Sequence, residues 1–555
     1  MPHSGQNDSQ RDDGGVVVST VQRHRGRWRP RPDAPALVAF LLGLAGVGYR
    51  LVLTVLTLPT ANSDEATFGL AAMHIATGRE HPVFLYGQRY MGMAESYLAA
   101  PLIAVAGPSW PVLRLPLLVL YAIFVALMYR LTRRICSPWF ATFTVGLLAI
   151  GPERVVRDQL TVVGGRPEVK PAVVLMLLMA VGLAQRRIRH RWLAVALFGL
   201  LAGLATWSDW LIVPYLAVTG LLLVWVCGRE LVGWAGVLLI AGFLLGAAPL
   251  IRDNLVAPPG QDSLSVLRTV DAGTGAHPTW AARLAGGLLE GVPLAGGLCP
   301  ADGCARGPAL FGLLYPLLLA AAAVLAVVAY RRAVGRPAAV RVGPAAHLTL
   351  LAGAGLTLLA YVRSPLTATD PLSSARYLSV LQISLPAVLW PLWLAAAHAR
   401  RGAVGVASRA GGAVAAAALA ALATVSLAAT VGFVAGAGGL RTEERQARRL
   451  ADQVRRLGLH EVYGEYWTCN RLIFNTGEEV ACAVLDGQLT PGQNRYPPYW
   501  LRVGRAARPG YVLATGSPAE RRLRALLGDR AEDAKVAELG GYRVYHPETA
   551  VRPWR

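Results

Sequence analysis

Two adjacent carboxylates, Asp64 and Glu65, follow an apolar run at residues 36–58 that ends at Pro59. The run is long enough to cross a lipid bilayer, which takes about 20 residues. Carboxylates are costly in hydrocarbon, and acids at this depth generally line a water-filled cavity. The alternative is an ordinary acid pair in the first turn of the next helix, because Ser63 is a good N-cap residue. The position therefore indicates either a polar site or a capped helix where the chain leaves the membrane.

The composition is typical of a membrane protein. Of the 555 residues, 54% are hydrophobic and only 16% are charged, whereas soluble domains contain about 25% charged residues. The formal net charge of +21 comes mainly from arginine, but these arginines fall in the gaps between apolar runs. That distribution follows the positive-inside rule and differs from the basic face that binds nucleic-acid phosphates. We therefore expect a multi-pass plasma-membrane protein with no nucleic-acid partner.

Apolar runs recur along the chain and predict about eleven transmembrane helices, within a range of ten to thirteen. The predicted spans are 36–58, 112–129, 139–151, 169–184, 192–207, 211–226, 234–251, 310–329, 345–362, 378–397 and 412–436. Arginine-rich short loops place the N-terminus in the cytoplasm. On this topology, residues 1–35 form a disordered basic cytoplasmic tail and residues 36–436 form the transmembrane domain. Residues 437–555 form a domain outside the cytoplasm.

Three long segments are expected outside the cytoplasm, namely the loops 59–111 and 252–309 and the C-terminal region. The first loop is predicted to contain an amphipathic stretch at 81–100, with Glu95 at the surface; a further acid in the cavity is the alternative for Glu95. In the C-terminal region, β-type runs alternate with helical runs, which predicts a small α/β domain. The predicted strands are EVYGEY, VACAVL, YVLAT and GYRVYH.

Four of the six cysteines fall in these expected outer segments. Cys299 and Cys304 bracket a short turn in the loop 252–309, and Cys469 and Cys482 lie in the C-terminal region. An oxidising compartment permits both pairs to form disulfides, and free thiols are the alternative. Neither spacing resembles a zinc site, so no metal site is predicted.

Several short motifs resemble GT-C glycosyltransferases. The stretch NSDEATFGLAAMHIATGREHP, followed by YGQRYMG and VLRLP, is similar to the first outer loop of one branch of these enzymes. That branch includes protein O-mannosyltransferases and bacterial lipid A and lipopolysaccharide sugar transferases. LLGAAPLIRDNLVAPPG is similar to its seventh-span exit, ARYLSVLQISLP to its late RY segment, and VYGEYWTCNRLIFNTGEEV to outer domains of bacterial members.

This resemblance implies a GT-C membrane fold and an enzyme of the cell envelope. Such enzymes move a hexosyl or pentosyl group from a polyprenyl-phosphate carrier to an acceptor outside the cytoplasm, with inversion. The partners implied are therefore the lipid-linked donor, membrane lipids and an acceptor that is a glycan, a lipid or a protein. No cofactor is implied with certainty, and the need for a divalent cation stays open. The sugar and the length of the carrier also stay open.

The resemblance also assigns roles to individual residues. Asp64 matches the catalytic acid of the family, and a carboxylate suits that role when it hydrogen-bonds the incoming hydroxyl. Glu65 is expected to orient Asp64 or a sugar hydroxyl. Arg376, followed by Tyr377, is the first candidate to stabilise the leaving phosphate, because arginine offers a bidentate fork to phosphate oxygens. Arg252 is the second candidate, and for both arginines the alternative is a side chain that snorkels to the headgroup region.

A second set of polar residues is expected to contact the carrier or the sugar. Arginines that snorkel to the headgroup region and an interfacial aromatic belt are the alternatives. The members of the set are Tyr86, Gln88, Arg89, Tyr90, Arg252 and Asn254.

Two functions of other classes compete with the glycosyltransferase. A transporter or flippase of lipid-linked sugars favours repeated halves with broken spans at matching positions, and the sequence has no such pairing. A non-catalytic envelope assembly protein would act through its C-terminal region. Convergence of the acid pair and Arg376 on one cavity would favour the enzyme.

Overall fold

The computed structural model describes residues 33–272, 277–300, 303–304, 306–400 and 406–554. The tail predicted at 1–35 lies outside the described residues except for its last three positions. Within the described ranges, nine helices are long and apolar enough to cross a membrane. The chain is a multi-pass α-helical membrane protein, as predicted.

The eleven predicted spans correspond to these nine helices and two shorter ones. The predicted spans 139–151 and 169–184 are apolar helices of 12 and 16 residues, which is less than the roughly 20 residues of a full crossing. The helices of the first half of the chain are α1 (Ala34–Val55), α2 (Ser63–Ala76), α3 (Ala94–Ala106), α4 (Trp110–Ile135), α5 (Pro138–Ala149), α6 (Glu153–Leu160), α7 (Val169–Ala184), α8 (Arg191–Ser208), α9 (Val213–Leu231) and α10 (Trp234–Val256).

The second half of the membrane region contains long helices separated by short, irregular ones. These are α11 (Ser263–Ala272), α12 (Trp280–Leu284), α13 (Val292–Ala295), α14 (Arg306–Arg332), α15 (Ala338–Arg363), α16 (Leu366–Thr369), α17 (Pro371–Ser374), α18 (Leu385–Arg400) and α19 (Val406–Arg456). A 3-10 helix, Ala375–Ser384, leads directly into α18. The disulfide Cys299–Cys304 lies in the connection between α13 and α14.

Glycines allow α8 and α10 to pack backbone to backbone. A Cβ atom at Gly199 would lie 2.1 Å from the carbonyl oxygen of Leu239, and one at Gly246 would lie 2.3 Å from that of Leu200. Small residues at a four-residue spacing are a common means of close helix contact in membranes. The opposite face of α10 is mostly exposed apolar surface, as expected of a helix that faces lipid.

The segment after α1 differs from its prediction. In place of one amphipathic stretch at 81–100, it forms a hairpin of β1 (Phe84–Leu85) and β2 (Gln88–Gly92), followed by α3. The turn requires Gly87, whose φ is +74°, a conformation that glycine adopts readily. The surface position predicted for Glu95 is wrong, because Glu95 is fully buried. Its carboxylate accepts a hydrogen bond of 3.0 Å from the backbone amide of Gly164, which gives the buried group a partner.

The C-terminal domain (residues 457–554) is a small α/β domain, as predicted. Its five strands have the order β4-β3-β5-β7-β6, in which β3 is parallel to β4 and β5 while β7 is antiparallel to β5 and β6. Four strands match the four predicted runs, but β6 and α21 are absent from the prediction. The elements are β3 (Glu461–Gly464), α20 (Tyr466–Asn475), β4 (Ala481–Val484), α21 (Pro497–Arg505), β5 (Gly510–Ala514), α22 (Pro518–Leu527), α23 (Ala531–Ala534), β6 (Lys535–Leu539) and β7 (Tyr542–Tyr545). The disulfide Cys469–Cys482 joins α20 to β4.

The C-terminal domain shares one hydrophobic core with the segment after α1. Phe68 and Leu70 of α2 belong to the same buried cluster as Leu472 and Phe474 of α20. The two helices approach closely at Gly69, where a Cβ atom would lie 2.6 Å from the ring of Phe474. The N-terminal end of α2 is therefore held against the C-terminal domain.

Candidate active site

Asp64 lies in the first turn of α2. The N-cap residue is Asn62, and not Ser63 as the sequence indicated: the Asn62 side chain accepts a 2.9 Å hydrogen bond from the backbone amide of Glu65. The Ser63 hydroxyl instead donates to the backbone carbonyl of Tyr466. Acidic groups in a first turn are favoured by the helix dipole, so the local sequence places Asp64 at a stable helix start beside the C-terminal domain.

Two side chains of the C-terminal domain bind Asp64. The Tyr466 hydroxyl donates to Asp64 Oδ1 over 2.5 Å, and Arg495 Nη2 donates to the same oxygen over 2.9 Å. The Asp64 side chain is 25% exposed, whereas that of Arg495 is 6% exposed. Asp64 is therefore an accessible carboxylate that is held on one side by the protein.

Glu65 has a different environment from its neighbour. It forms a bidentate pair with Arg114 of α4, with distances of 2.7 Å from Nε to Oε1 and 2.6 Å from Nη2 to Oε2. Both side chains are 0% exposed. Arg114 also donates to the carbonyl of Pro59, and Glu65 accepts from the backbone amide of Val162. Glu65 thus joins α2 to α4, and the structure shows no hydrogen bond from it to Asp64.

Arg376 lies at the start of the 3-10 helix, near Asp64. Asp64 and Asp158 both lie within electrostatic reach of its guanidinium. Its guanidinium lies 5.3 Å from the ring centroid of Tyr377 and donates to the Tyr377 hydroxyl at 3.4 Å. Its buried Nε has no hydrogen-bond partner among the described residues. The structure therefore brings Asp64, Arg376 and Tyr377 into one region.

Of the predicted contact residues in the hairpin, one lies in this region and the others make contacts elsewhere. Burial raises the pKa of Tyr90, and Arg376 and Arg495 are among the charges that act on it, so its phenol faces the same region. Tyr86 instead donates to Glu80 over 2.8 Å. Gln88 lies opposite Leu85 where strands β1 and β2 pair.

The remaining predicted contacts do not reach Asp64. Arg89 forms an ion pair with Asp253 of α10 over 2.6 Å. Asn254 binds Ser263, with its Oδ1 accepting from the backbone amide over 2.8 Å. Arg252 is exposed. Arg89 and Asn254 therefore connect the hairpin and α11 to α10.

Several charged residues after α5 are buried and not solvated at the surface. Asp158 pairs with Arg166 over 3.0 Å, and Lys170 donates to Gln382 Oε1 over 3.3 Å. Asp158, Arg166 and Lys170 are all buried. Burial also raises the pKa of nearby Asp209 to about 6. These groups form a buried polar layer next to Arg376.

An apolar groove begins beside this polar layer. It lies between α5, α6, α13, α14, α18 and α19, and Leu378 and Gln382 of the 3-10 helix line it. Gln382 is also the residue that accepts from Lys170. Gln382 therefore joins the wall of the groove to the polar layer. Among the described residues, no three His, Cys, Asp or Glu side chains are grouped so as to hold a metal ion.

Comparison with solved structures places this arrangement in a known fold. The structure is similar to that of ArnT from Cupriavidus metallidurans bound to undecaprenyl phosphate, with a TM-score of 0.54 and 13% sequence identity over 91% of this chain and 97% of that chain. The chain shares the fold of this ArnT structure. ArnT in the apo state gives a TM-score of 0.52 with 14% identity over 91% of this chain and 97% of that chain. The oligosaccharyltransferase AglB from Archaeoglobus fulgidus gives 0.44 with 13% identity over 86% of this chain and 69% of that chain.

No protein-family model matches the sequence. No curated protein matches it either. The likeness to ArnT is therefore a likeness of fold at low sequence identity.

Several residues near Asp64 were not found from the sequence. Arg114 carried a signal, because a charged residue inside an apolar span generally has a structural or functional partner. For Asp158, the only signal in the sequence was its position in a loop with many charged residues. Tyr466 and Arg495 had no signal, since they lie 402 and 431 residues after Asp64.

Proposed function

We propose that this protein is a membrane glycosyltransferase that transfers a sugar from a polyprenyl-phosphate carrier to an acceptor outside the cytoplasm. The observation that carries the proposal is that Asp64 lies within electrostatic reach of Arg376, whose 3-10 helix also lines an apolar groove through Leu378 and Gln382. An accessible base, a cation and a site for a hydrocarbon chain are what this reaction requires. The ArnT structure, which shares this fold, contains ArnT bound to undecaprenyl phosphate.

Asp64 acts as the general base in this proposal. Its carboxylate accepts the proton of an acceptor hydroxyl while the hydroxyl oxygen attacks the anomeric carbon of the donor sugar. The bond between that carbon and the phosphate oxygen breaks on the opposite face, so the configuration inverts. The electron pair of the broken bond leaves with the polyprenyl phosphate.

Arg376 stabilises the phosphate as its negative charge increases. The guanidinium is fixed beside Tyr377, and its Nε has no hydrogen-bond partner among the described residues. A fixed donor in a site of low dielectric stabilises developing charge more than a mobile one in water does. The groove holds the polyprenyl chain, with residues such as Leu378 and Leu385 along its wall.

The proposed orientation has the N-terminus in the cytoplasm and the C-terminal domain outside. Asp33 at the start of α1 pairs with Arg133 at the end of α4, whereas Asp64 follows the opposite end of α1. Arg133 belongs to the arginine-rich loops that favour the cytoplasmic side. A reporter enzyme that is active only in the cytoplasm, fused after Arg555, should give no signal. A strong signal would reverse the topology.

The function is tested with purified protein, a polyprenyl-phosphate sugar and an acceptor, by following the release of free polyprenyl phosphate. Asp64→Asn should lower turnover by about 10²–10⁴-fold, the usual contribution of a general base. Arg376→Lys keeps the charge but loses the fork, so its turnover should fall less than that of Arg376→Ala. Arg332→Ala, at an exposed position at the end of α14, is the control.

Two outcomes would contradict the proposal. If Asp64→Asn released polyprenyl phosphate at the wild-type rate with a true acceptor, the role of Asp64 would be wrong. If the wild-type protein transferred no sugar but moved the lipid-linked sugar between the leaflets of a vesicle, the protein would be a flippase.

A further inference from the structure

The hydrogen bonds that fix the Asp64 side chain come from the C-terminal domain and not from the membrane region. Within the described part of the chain, its carboxylate accepts from Tyr466 and Arg495 alone. We propose that Arg495 and Tyr466 are positioning residues for Asp64, so that the C-terminal domain completes the active site. This inference rests on the proposed function, because it concerns the same carboxylate.

The three side chains form a closed set of contacts. Arg495 Nε donates to the Tyr466 hydroxyl over 2.5 Å, and that hydroxyl donates to Asp64 Oδ1 over 2.5 Å. Arg495 Nη2 reaches the same Oδ1 directly, over 2.9 Å. The guanidinium carbon also lies 5.5 Å from the centroid of the Tyr466 ring. Rotation of Asp64 would therefore break two charge-assisted hydrogen bonds at once.

Both contacts use one oxygen of the Asp64 carboxylate and leave the other available. Oδ1 accepts from Tyr466 and Arg495, while Oδ2 has no hydrogen bond within the described residues. The side chain is 25% exposed, so a hydroxyl can approach Oδ2. Positive charge lies on both sides of the carboxylate, with Arg495 behind it and Arg376 towards the proposed phosphate site. This arrangement holds one oxygen of Asp64 and leaves the other for the acceptor.

An anchor network holds Arg495 in place. The network consists of the side chains of His74, Glu80, Glu478, Tyr496 and Tyr499. Tyr496, the next residue after Arg495, donates to Glu80 over 2.5 Å, and Tyr499 donates to Glu478 over 2.7 Å. His74, which is fully buried, binds Glu478 over 2.9 Å. Because His74 and Glu80 belong to the segment after α1, the network fixes the Arg495 segment relative to α2.

The hairpin provides a second contact with the Arg495 backbone. A Cβ atom at Gly87 would lie 3.6 Å from the Cα atom of Arg495, so the turn packs against this residue. Arg495 Nη1 also points to the carbonyl of Tyr86 at 3.5 Å. Arg495 is thus enclosed between the hairpin and α20, which is more support than an exposed surface arginine would have.

The experiment compares three variants in the polyprenyl-phosphate release assay across a range of pH. Arg495→Gln removes the charge and the fork, and kcat should fall by about 10²-fold, as is typical when a reacting group is misplaced. The acidic limb of its kcat/KM profile should move to higher pH, because a positive charge next to the carboxylate is lost. Arg495→Lys should restore most of the pH profile but only part of kcat. Tyr466→Phe should cause a smaller loss, with the same direction of shift.

The matched control is Arg502→Gln in α21. Arg502 also forms an ion pair, with Glu461 over 3.0 Å, but it is far more exposed. This variant should keep the wild-type rate and pH profile. The inference is overturned if Arg495→Gln and Tyr466→Phe both match Arg502→Gln while Asp64→Asn is inactive. If Arg495→Gln does not fold, Tyr466→Phe decides the result, because it removes a single hydroxyl. An active Asp64→Asn would instead overturn the proposed function itself.

Discussion

Asp64 and Glu65 are neighbours in sequence, and each pairs with an arginine, but the two pairs have opposite surroundings. The Glu65–Arg114 pair is sealed, with both side chains 0% exposed, whereas the Asp64–Arg495 pair is 25% and 6% exposed. The sealed pair joins two helices that are close in sequence. The open pair joins the membrane region to the C-terminal domain. The difference indicates that Glu65 holds the fold together while Asp64 is available for chemistry.

The largest expected effect comes from breaking the sealed pair. Glu65→Gln leaves the charge of Arg114 buried without a counter-charge, and loss of one partner of a buried pair costs about 3–5 kcal/mol. The thermal stability of the detergent-solubilised protein should fall accordingly. Asp64→Asn is the matched control and should cost about 1 kcal/mol or less, because its pair is partly exposed.

A double variant sharpens this comparison. Replacing Glu65 and Arg114 together by Leu and Met removes both charges, and such apolar replacements are often neutral for stability. The double variant should therefore be more stable than Glu65→Gln. If Glu65→Gln proved as stable as Asp64→Asn, the structural role assigned to Glu65 would be wrong.

A smaller effect is expected from the anchor network behind the open pair. Burial raises the pKa of Glu478, but hydrogen bonds from His74 and Tyr499 outweigh this and lower it to about 2 from its usual 4.5. A carboxylate with a lowered pKa contributes stability that is present above its unfolded value and is lost as pH falls through the folded value. The contribution of Glu478 should therefore be complete above about pH 4.5 and disappear towards about pH 2.

Glu478→Gln tests this contribution directly. Melting temperatures measured between pH 2 and pH 7 should decline less steeply with acidity in this variant than in the wild type. Glu461→Gln, which removes a more exposed carboxylate from the C-terminal domain, serves for comparison and should keep the wild-type slope. Equal slopes in the wild type and Glu478→Gln would argue against the network.

The smallest effect is expected for the disulfide Cys299–Cys304, which lies far from Asp64 and Glu65. Cys299–Cys304 closes a separation of 5 residues and Cys469–Cys482 one of 13, so the chain-entropy model gives about 2 and about 3 kcal/mol respectively. Only the second includes α20, the helix that carries Tyr466. Replacing Cys469 and Cys482 by serine should therefore lower turnover as well as stability, and the other pair of serines should affect stability alone. Mass spectrometry of non-reduced peptides would contradict the pairing if it found free thiols.

Much of the fold could be read from the sequence. The apolar runs gave the positions of the long helices, and the alternation of β-type and helical runs gave four of the five strands of the C-terminal domain. The sequence missed β6, Lys535–Leu539, in which no residue is buried and the exposed positions are Val536 and Glu538. The acid pair was also treated as one unit, although adjacent residues on a helix point about 100° apart. That angle is enough to give Glu65 and Asp64 different surroundings.

The contacts between distant parts of the chain could not be read in the same way. The apolar residues of α2 fit a helix that is buried on nearly all sides, but they do not show that α20 is one of the elements that cover it. Arg495 lies in an irregular segment before α21, where neither spacing nor burial pattern singles it out. The predicted boundary at residue 436 falls within α19, because the glycines around it do not interrupt the helix.

The length of α19 has a mechanical consequence. It runs without interruption for 51 residues, or about 77 Å at 1.5 Å per residue, from the membrane region to the start of β3. Its far end also pairs with α20, through Glu444 and Arg471 at 3.1 Å. A continuous helix transmits rotation along its axis. One residue inserted into α19 would rotate the chain after the insertion by about 100°. The rotation of α19 about its own axis therefore helps to determine whether Arg495 faces Asp64.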